Sequence, residues 1–290
     1  MSNILVTGAT GNIGVEVIRY LYARDTRVIA GVRNIDKAKA LFYDYPRLEY
    51  RHFDFENTTT FEISFKDIDR VFLLRPPHIS DIEKYFTPLL NSIKQNGIDQ
   101  VVFLSVQGAE KSKLIPHHKI ERLIKKMNLE FIFLRPSYFM QNLTTTLLED
   151  IRTKKEIVLP AGKAKFNWVD IKNIGETGAI LLEEFEQYKN NAYDITGLEN
   201  ENFYTIARLI RNSANIPMRY RSVNPLKFYS IKKRERMEKG KIIVMTLLHF
   251  LPRFQKEPAI SDFYHRLTAQ NPTNLKSFIE REKSKFKKLT

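Results

Sequence analysis

A glycine-rich turn near the N-terminus constrains the fold more than any other feature of this chain. The segment TGATGNIG at residues 7–14 lies between the apolar run ILV at residues 4–6 and a stretch at residues 13–23 whose apolar residues recur at helical spacing. A strand that passes into a helix through glycines spaced GxxGxxG is typical of the phosphate-binding turn of a Rossmann-type domain. The alternative is a purely structural glycine-rich turn, which the strand–turn–helix context disfavours.

Each glycine of this turn has a distinct physical role in such a domain. Gly8 permits the tight turn, Gly11 lets the backbone approach a pyrophosphate, and Gly14 allows the helix to pack closely on the strand. The free N–H groups at the start of the helix then face the phosphates. The residues predicted to hold a dinucleotide here are Gly8, Thr10, Gly11, Asn12 and Ile13.

Short apolar runs alternate with longer amphipathic stretches along the first half of the chain. Six runs predict strands at residues 4–7, 27–32, 48–54, 71–74, 101–105 and 131–135. This alternation is the mark of βαβ units, and right-handed crossovers turn such units into an α/β, doubly wound parallel sheet with helices on both faces. We predict a Rossmann-type domain at residues 1–136, and a smaller α/β subdomain at residues 137–290 that interleaves with the first.

The end of the second predicted strand indicates which nucleotide is preferred. Proteins selective for NAD usually place an acidic residue there to bind the ribose hydroxyls, whereas this chain has Arg33. An arginine at that position suits a 2′-phosphate, and Lys37 can join it, so NADPH is predicted over NADH. Lys37 can also be a simple surface residue. Asp54, at the end of the third strand, is placed to meet the adenine edge or to cap the following turn.

Composition excludes several classes of chemistry. The chain has no cysteine, so disulfides, thiolate nucleophiles and cysteine-based zinc sites are impossible. No His/Asp/Glu pattern predicts another metal site. No apolar run reaches the roughly 18 residues of a membrane span, and no signal peptide precedes the first strand, which predicts a cytoplasmic protein without a membrane span.

The net charge of +14 leaves several partners open, since its field would attract nucleic acid, an anionic membrane or a phosphorylated ligand alike. The basic runs at residues 232–234 and 283–288 are expected to be solvated helix faces, and without a recognition motif a nucleic-acid partner is disfavoured. The segment at residues 240–254 is apolar with basic flanks. It can be an interfacial helix or, as we favour, a helix packed on the smaller subdomain.

Several motifs together resemble one protein family over nearly the whole chain. They are TGATGNIG at 7–14, VRN at 32–34, DF at 54–55, HHKIERLIKKMNLEFIFLRP at 117–136, LRPSYFMQN at 134–142, WVDIKNIGETGA at 168–179, YDITGLEN at 193–200 and NPTNLKSFIE at 271–280. The chain resembles the NmrA-like group of atypical short-chain dehydrogenases/reductases. Members of that group include NAD(P)H-dependent quinone, azo-dye and triphenylmethane-dye reductases, and redox sensors that bind the cofactor without turning it over.

The resemblance implies roles for further residues. Those implied to border the cofactor are Leu74, Arg75, Pro76, Ser105, Lys119 and Pro136, with Ser105 near the nicotinamide and Lys119 matching the lysine of the short-chain reductase pair. Those implied to line the substrate side are Pro136, Tyr138, Phe139 and Asn142.

One departure from the usual pattern concerns the proton donor. In the Tyr-x-x-x-Lys pair the tyrosine would lie four residues before Lys119, where this chain has Ile115. A tyrosine beside a lysine ammonium protonates a carbonyl oxygen as hydride arrives, so carbonyl reduction by that route is disfavoured. The remaining candidates for a proton donor are His117, His118 and Tyr138; for the two histidines we favour the alternative, that they are solvated residues at a helix start.

Two functions of different classes follow. The first is an NADPH-dependent oxidoreductase that transfers hydride to a small, planar, electron-poor acceptor such as a quinone or azo compound, stacked on Phe139 and held near Tyr138 and Asn142. The second is a non-catalytic NADP(H)-binding redox sensor that changes its binding of a protein partner with the state of the cofactor.

Overall fold

The computed structural model describes residues 2–113 and 115–287. The strands are β1 Ile4–Thr7, β2 Val28–Val32, β3 Glu49–His52, β4 Arg70–Leu74, β5 Gln100–Leu104, β6 Glu130–Pro136, β7 Tyr138–Phe139, β8 Glu156–Leu159, β9 Phe166–Val169, β10 Asn191–Ile195, β11 Asn200–Glu201 and β12 Arg219–Ser222. The α-helices are α1 Asn12–Ala23, α2 Ile35–Leu41, α3 Phe61–Phe65, α4 Ile82–Gln95, α5 Pro116–Lys126, α6 Leu148–Lys154, α7 Ile171–Glu183, α8 Phe185–Tyr188, α9 Phe203–Ala214, α10 Pro225–Arg234, α11 Lys239–Phe250, α12 Phe263–Thr268 and α13 Leu275–Phe286. Short 3-10 helices lie at Thr58–Thr60, Ala109–Lys111, Met140–Leu143 and Leu251–Phe254.

These elements form two compact units. The first comprises the described residues within Met1–Pro136 and Ile171–Ile195, and the second those within Ser137–Asp170 and Thr196–Thr290. Residues 171–195, predicted from the sequence to lie in the smaller subdomain, therefore supply α7, α8 and β10 to the first unit.

A parallel seven-stranded sheet forms the centre of the first unit, in the order β10-β6-β5-β4-β1-β2-β3. Every neighbouring pair is parallel, which confirms the predicted doubly wound architecture. The chain proceeds outward from β1 to β3, then returns to the other side of β1 with β4. The strand order thus reverses between β1 and β4, and ligands in open α/β sheets bind beyond the carboxyl ends of the strands at such a point.

Helices α1 and α7 pack on one another in the first unit, at a distance that only small residues allow. A Cβ on Gly175 of α7 would overlap the Glu16 side chain of α1, and one on Gly178 would lie 3.3 Å from both Phe72 and Val17. The two glycines bring α7 against the sheet and α1. The motif at residues 168–179 therefore contributes to helix packing.

The second unit has two small sheets and a helical C-terminal half. Strand β9 pairs antiparallel with β11 and parallel with β7, and β12 pairs parallel with β8. Asn167 joins the segments: its Oδ1 accepts from the hydroxyl of Ser137 and the N–H of Gly197, each at 2.7 Å. Around Trp168 and Phe203, both fully buried, lies a separate hydrophobic core.

The basic runs differ from the expected solvated faces in one respect. Lys232 is 4% exposed, and its ammonium is paired with Asp150 and with Glu235. The expectation of a fully solvated run at residues 232–234 is therefore wrong for Lys232, because burying an ammonium requires carboxylate partners. In the second run Lys283 and Lys285 are paired with acidic residues of their own helix, while Lys288 lies outside the described residues.

Candidate functional site

The glycine turn between β1 and α1 lies at the reversal of strand order. Gly8 adopts a positive φ of 59°, and a Cβ there would lie 2.7 Å from the Leu74 side chain at the end of β4. A Cβ on Gly14 would overlap the Gly8 carbonyl oxygen and lie 2.8 Å from the Ala9 Cα. Gly8 and Gly14 are thus required by the backbone itself, as the sequence predicts.

Gly11 is less crowded than Gly8 and Gly14. A Cβ at this position would lie 3.2 Å from the Gly8 carbonyl oxygen and near no other atom, so the outer side of the turn is open. Gly11 is also the N-cap of α1, and no side chain caps the helix there. The first N–H groups of α1, including those of Asn12 and Ile13, are therefore available to an anion. Thr10 is exposed beside them.

Two cationic side chains lie just after β2, at the strand end where a 2′-phosphate would bind. Arg33 directly follows β2, and Lys37 lies in the first turn of α2, whose N-cap Asn34 accepts from the Lys37 N–H at 2.9 Å. Both side chains are exposed, and within the described ranges neither forms an ion pair. Their charges are not neutralised by the protein, which suits a phosphate ligand.

Asp54 lies two residues after the end of β3, at the carboxyl edge of the sheet where β2 also ends. Its Oδ1 accepts from the Glu56 N–H at 3.0 Å, and its own N–H donates to Thr60 at 3.2 Å. The side chain therefore caps the turn, one of the two roles that the sequence left open. The other carboxylate oxygen, Oδ2, has no partner among the described residues.

The loop after β4 is held by Arg75. Its Nη1 donates to the carbonyl oxygens of Pro76 at 3.0 Å, Pro77 at 3.1 Å and Ile79 at 2.6 Å. Burial lowers the pKa of this guanidinium, and its buried Nε has no hydrogen-bond partner in the part of the chain that the structure describes. Arg75 therefore fixes the shape of the loop and leaves one buried donor for a ligand or water.

Ser105 is buried at the carboxyl end of β5 and hydrogen-bonded inward. Its hydroxyl donates to Glu121 Oε1 at 2.6 Å, and Arg135 binds both oxygens of that carboxylate, at 2.9 and 2.6 Å. Arg135 also pairs with Glu110 at 2.9 Å. The position matches the one that the resemblance implies, but the Ser105 hydroxyl is engaged with the α5 carboxylate.

Helix α5 begins with Ile115 as its N-cap and Pro116 at its first position, so no acidic hydroxyl stands four residues before Lys119. Lys119 is exposed, and its ammonium has no ion-pair partner among the residues described. The ring of His118 is held at Nδ1 by the Ala109 carbonyl oxygen, at 2.9 Å. When the ring is neutral, this bond places its proton on Nδ1 and leaves Nε2 as the free nitrogen.

His117 is only partly exposed. Its ring packs against Phe103 with centroids 6.2 Å apart. Burial, and then repulsion by the Arg75 charge, lower its pKa to about 3. His117 is therefore neutral at physiological pH, and the reading of both histidine rings as solvated is wrong at this position. A neutral imidazole with so low a pKa is a poor proton donor.

Pro136 ends β6 in the first unit, where its carbonyl oxygen accepts from the Gln107 N–H at 2.9 Å. Tyr138, Phe139 and Asn142 belong to the second unit, in β7 and the 3-10 helix that follows it. Phe139 is half-buried there, two residues before Gln141, which donates to Asp170 at 2.6 Å.

The Tyr138 hydroxyl is satisfied within the second unit. His249 donates through Nδ1 to the Met245 carbonyl oxygen at 2.7 Å, which leaves Nε2 to accept from Tyr138 at 3.0 Å. Asn142 is a further hydrogen-bond partner of Tyr138, and burial raises the pKa of the phenol. Burial also lowers the pKa of His249 to about 4. The phenolic proton therefore stays in the hydrogen bond between Tyr138 and His249 and is not donated to a substrate.

Two residues of these arrangements, Glu121 and His249, were not identified from the sequence. Glu121 lies two residues after Lys119, but nothing in the spacing shows that it turns toward Ser105. His249 is the one titratable side chain within the apolar run at residues 242–251, a pattern more typical of a core histidine than of a site residue.

The residues present fit a dinucleotide. The turn has no room for side chains at Gly8 and Gly14, it is open at Gly11, and it lies at the reversal of strand order. The N–H groups of α1 supply donors for a pyrophosphate. No group of three or more His, Asp or Glu side chains in the described ranges is arranged to hold a metal ion.

The sheet order, the glycine turn and the crossover helices define a Rossmann-type fold of the NAD(P)-binding oxidoreductase class. The chain belongs to the NmrA-like family, whose model matches residues 1–276. This confirms the family resemblance of the sequence motifs.

The chain is similar to proteins of several kinds. The chain is 29% identical to prestalk A differentiation protein A of Dictyostelium discoideum, over 78% of this chain and 74% of that one. It is 27% identical to an NAD(P)H azoreductase of Xenophilus azovorans, over 75% and 76%. The solved structure of the Citrobacter sp. triphenylmethane reductase with NADP(H) has a TM-score of 0.83 and 21% identity, over 96% and 99%. No helix in the part described is both long and apolar enough to cross a bilayer.

Proposed function

We propose that the chain is an NADPH-dependent oxidoreductase that reduces a small, planar, electron-poor acceptor such as a quinone or an azo compound. The observation that carries this proposal is the open glycine turn at the strand reversal, with two unneutralised cations, Arg33 and Lys37, at the next strand end. The bound nicotinamide would supply the hydride. An azoreductase and a triphenylmethane reductase among the similar proteins support this class of reaction.

The protein's part in this proposal is binding and orientation. The α1 N–H groups hold the pyrophosphate, and Arg33 with Lys37 binds the 2′-phosphate through charge-assisted hydrogen bonds. Arg75 shapes the loop after β4 by donating to three carbonyl oxygens. Lys119 is free to hold a ribose hydroxyl.

Protonation of the acceptor is where this chain departs from carbonyl reductases. Ile115 replaces the tyrosine, His117 has a pKa of about 3, and the Tyr138 proton is donated to His249. None of the three supplies a proton easily at neutral pH. Electron-poor acceptors need no strong acid from the protein, because their reduced forms take a proton from water. Among the candidates, His118 keeps a free Nε2 and is the one side chain that could relay it.

The nucleotide preference is tested by titrating the protein with NADPH and NADH and comparing wild type with Arg33→Ala. Loss of a hydrogen bond to a charged group costs about 1.5–3 kcal/mol, so we expect NADPH affinity to fall at least about tenfold. NADH affinity should change little. Arg208→Ala is the matched control, since Arg208 is also exposed but lies on α9 in the second unit. Equal loss for both nucleotides would contradict 2′-phosphate binding by Arg33.

A second function is favoured by the same shortage of proton donors among the candidate residues. With His118 as the one described candidate that could relay a proton, the fold can also serve as a non-catalytic NADP(H)-binding sensor whose partner is another protein; a differentiation protein is among the similar proteins. The two functions separate on one measurement, oxidation of NADPH over a panel of quinones and azo dyes. Turnover of any acceptor supports the oxidoreductase. Tight NADPH binding with no turnover across the panel supports the sensor.

A further inference from the structure

Helix α11 is apolar on two opposite faces. Its inner face packs Ile242, Met245 and His249 into the core of the second unit, where they are at most 6% exposed. Its outer face continues through the 3-10 helix at Leu251–Phe254, and the exposed apolar residues there are Ile243 43%, Val244 64%, Leu247 49%, Leu248 49%, Leu251 46% and Phe254 73%. A helix that packs a core normally presents polar residues outward, so this face is expected to meet an apolar medium.

The charge around this face is mainly positive, with Glu238 as the acidic N-cap of α11. Residues 239–256 contain Lys239, Lys241, Arg253 and Lys256 and no acidic residue. All four basic side chains are exposed. The nearest acid after the segment, Glu257, is paired with Lys165 at 2.9 Å. The face is therefore an apolar strip whose border carries four basic residues, flanked by one acidic residue at each end, Glu238 and Glu257.

A basic cavity adjoins the C-terminal end of the strip. It has a volume of about 300 Å³ and is lined by Lys163, Ala164, Lys165, Pro252, Arg253, Gln255 and Glu257. Glu257 neutralises Lys165, whereas Lys163 and Arg253 have no ion-pair partner among the described residues. The Arg253 guanidinium also lies over the Phe250 ring, 5.3 Å from its centroid. A cavity with two unpaired basic residues, Lys163 and Arg253, beside an apolar strip suits a phosphate headgroup whose acyl chains meet the strip.

We propose that the outer face of α11 is a docking surface for an anionic lipid bilayer. The apolar strip enters the boundary between headgroups and acyl chains, while Lys239, Lys241 and Arg253 contact headgroup phosphates. A basic helix with an apolar face binds membranes by these two contributions together. The helix lies on the bilayer and does not cross it. This inference stands apart from the nucleotide site and does not require turnover.

A second copy of the chain fits this face less well. A twofold axis through the strip would place the same basic border from both copies around one apolar contact. Residues 238–256 contain one carboxylate, that of Glu238, against four basic side chains. Like charges brought together in this way are destabilising, whereas an anionic bilayer neutralises them.

Flotation with vesicles tests the proposal on the full chain. Wild type should float with vesicles of equimolar phosphatidylcholine and phosphatidylglycerol, and should float far less with phosphatidylcholine alone. Each basic residue near an anionic surface contributes about 1 kcal/mol, so Lys239→Glu with Lys241→Glu should reduce the bound fraction at least about tenfold. Leu247→Gln with Leu248→Gln should reduce it as well, because the apolar contribution is lost.

Matched variants control for charge and for surface leucines. Lys66→Glu with Lys126→Glu makes the same change of net charge at exposed positions of the first unit. Leu226→Gln removes a leucine that is 84% exposed on α10. Both controls should float like wild type. Thermal unfolding of each variant verifies that it is folded.

Tryptophan fluorescence provides a second measurement that does not depend on the fraction of protein that floats with the vesicles. The only tryptophan of the chain, Trp168, is fully buried, so it contributes a constant background. Emission of Leu248→Trp should shift to shorter wavelength when anionic vesicles are added, and that of Leu226→Trp should not. The proposal is overturned if wild type does not float with anionic vesicles, or if Leu247→Gln with Leu248→Gln floats as well as wild type. It is also overturned if these leucine changes abolish a dimer that binds no vesicles.

Discussion

The Tyr138 hydroxyl donates to Nε2 of His249 across 3.0 Å, and the two residues are 111 positions apart in the sequence. Because His249 Nδ1 donates to the Met245 carbonyl oxygen, the direction of the hydrogen bond is fixed for the neutral ring. Tyr138 thus acts as a donor to a buried imidazole whose pKa is lowered to about 4. A phenol in this state contributes to the stability of the second unit.

Tyr138→Phe is expected to separate stability from catalysis. The variant leaves the buried Nε2 of His249 without its donor, which should lower the free energy of unfolding by about 1–3 kcal/mol. Turnover of whichever acceptor the wild type reduces should stay within about twofold, because a residue that supplies no proton adds nothing to the transition state. Urea unfolding and steady-state kinetics measure the two effects. A hundredfold loss of kcat in a variant of normal stability would instead make Tyr138 the proton donor.

The two histidines with lowered pKa values predict a loss of stability in acid. An unfolded histidine has a pKa near 6.5, whereas His249 titrates at about 4 in the folded chain and His117 at about 3. Below pH 6.5 the unfolded state binds more protons than the folded state, so the free energy of unfolding falls as the pH falls. Each pKa unit corresponds to about 1.4 kcal/mol, and His249 alone accounts for roughly 3 kcal/mol between pH 6.5 and 4.

A histidine substitution checks the source of this pH dependence. His117→Gln should flatten the curve of unfolding free energy against pH, while His265→Gln, at an exposed position on α12, should leave the curve unchanged. The measurement is a series of urea unfolding curves across that pH range. If both variants keep the wild-type slope, the loss of stability in acid arises elsewhere.

The local signals in the sequence predicted the first unit well. The glycine spacing in residues 7–14 and the alternation of apolar runs are short-range patterns, and β1, α1 and β2 lie where those patterns place them. The seventh strand was assigned to the second region, because β10 joins β6 only after an excursion of the chain through the second unit. Pairing over such a separation leaves no local pattern.

The site residues show the same division. Gly8, Gly14 and Arg33 follow from their positions relative to one strand and one helix. The partners Glu121 of Ser105 and His249 of Tyr138 follow from tertiary packing, which turns each side chain toward a group that the sequence alone does not place beside it. The sequence therefore predicts the position of the nucleotide turn but not which side chain could donate a proton.

Ser105→Ala tests whether this serine contacts the nicotinamide or only stabilises the fold through its hydrogen bond to Glu121. Its hydroxyl donates to Glu121 at 2.6 Å, so its removal should cost about 1–3 kcal/mol of unfolding free energy. NADPH affinity and kcat should remain near wild type, because Arg135 still holds the Glu121 carboxylate through two bonds. Thermal unfolding and NADPH titration give the answer. Full stability with a large loss of kcat would show that the hydroxyl reaches the cofactor.

The glycines of the turn are expected to fail in different ways when each is replaced by alanine. At Gly14 the new Cβ would overlap the Gly8 carbonyl oxygen and lie 2.8 Å from the Ala9 Cα, contacts between backbone segments that cannot relax cheaply. Overpacking of this kind costs about 1–3 kcal/mol or more, so Gly14→Ala should lower the unfolding temperature clearly. At Gly11 the nearest atom is 3.2 Å away, and the variant should remain folded.

Gly11→Ala should nevertheless lose nucleotide affinity, because the added methyl group occupies the open side of the turn that the pyrophosphate approaches. Gly240→Ala is the control: its Cβ would meet only the Glu238 side chain, at 3.5 Å, and alanine in a helix is favoured over glycine by about 1 kcal/mol. Differential scanning calorimetry and NADPH titration on the three variants separate the effects. A Gly11→Ala protein that binds NADPH as tightly as wild type would place the pyrophosphate away from this turn and remove the main support for the proposed cofactor.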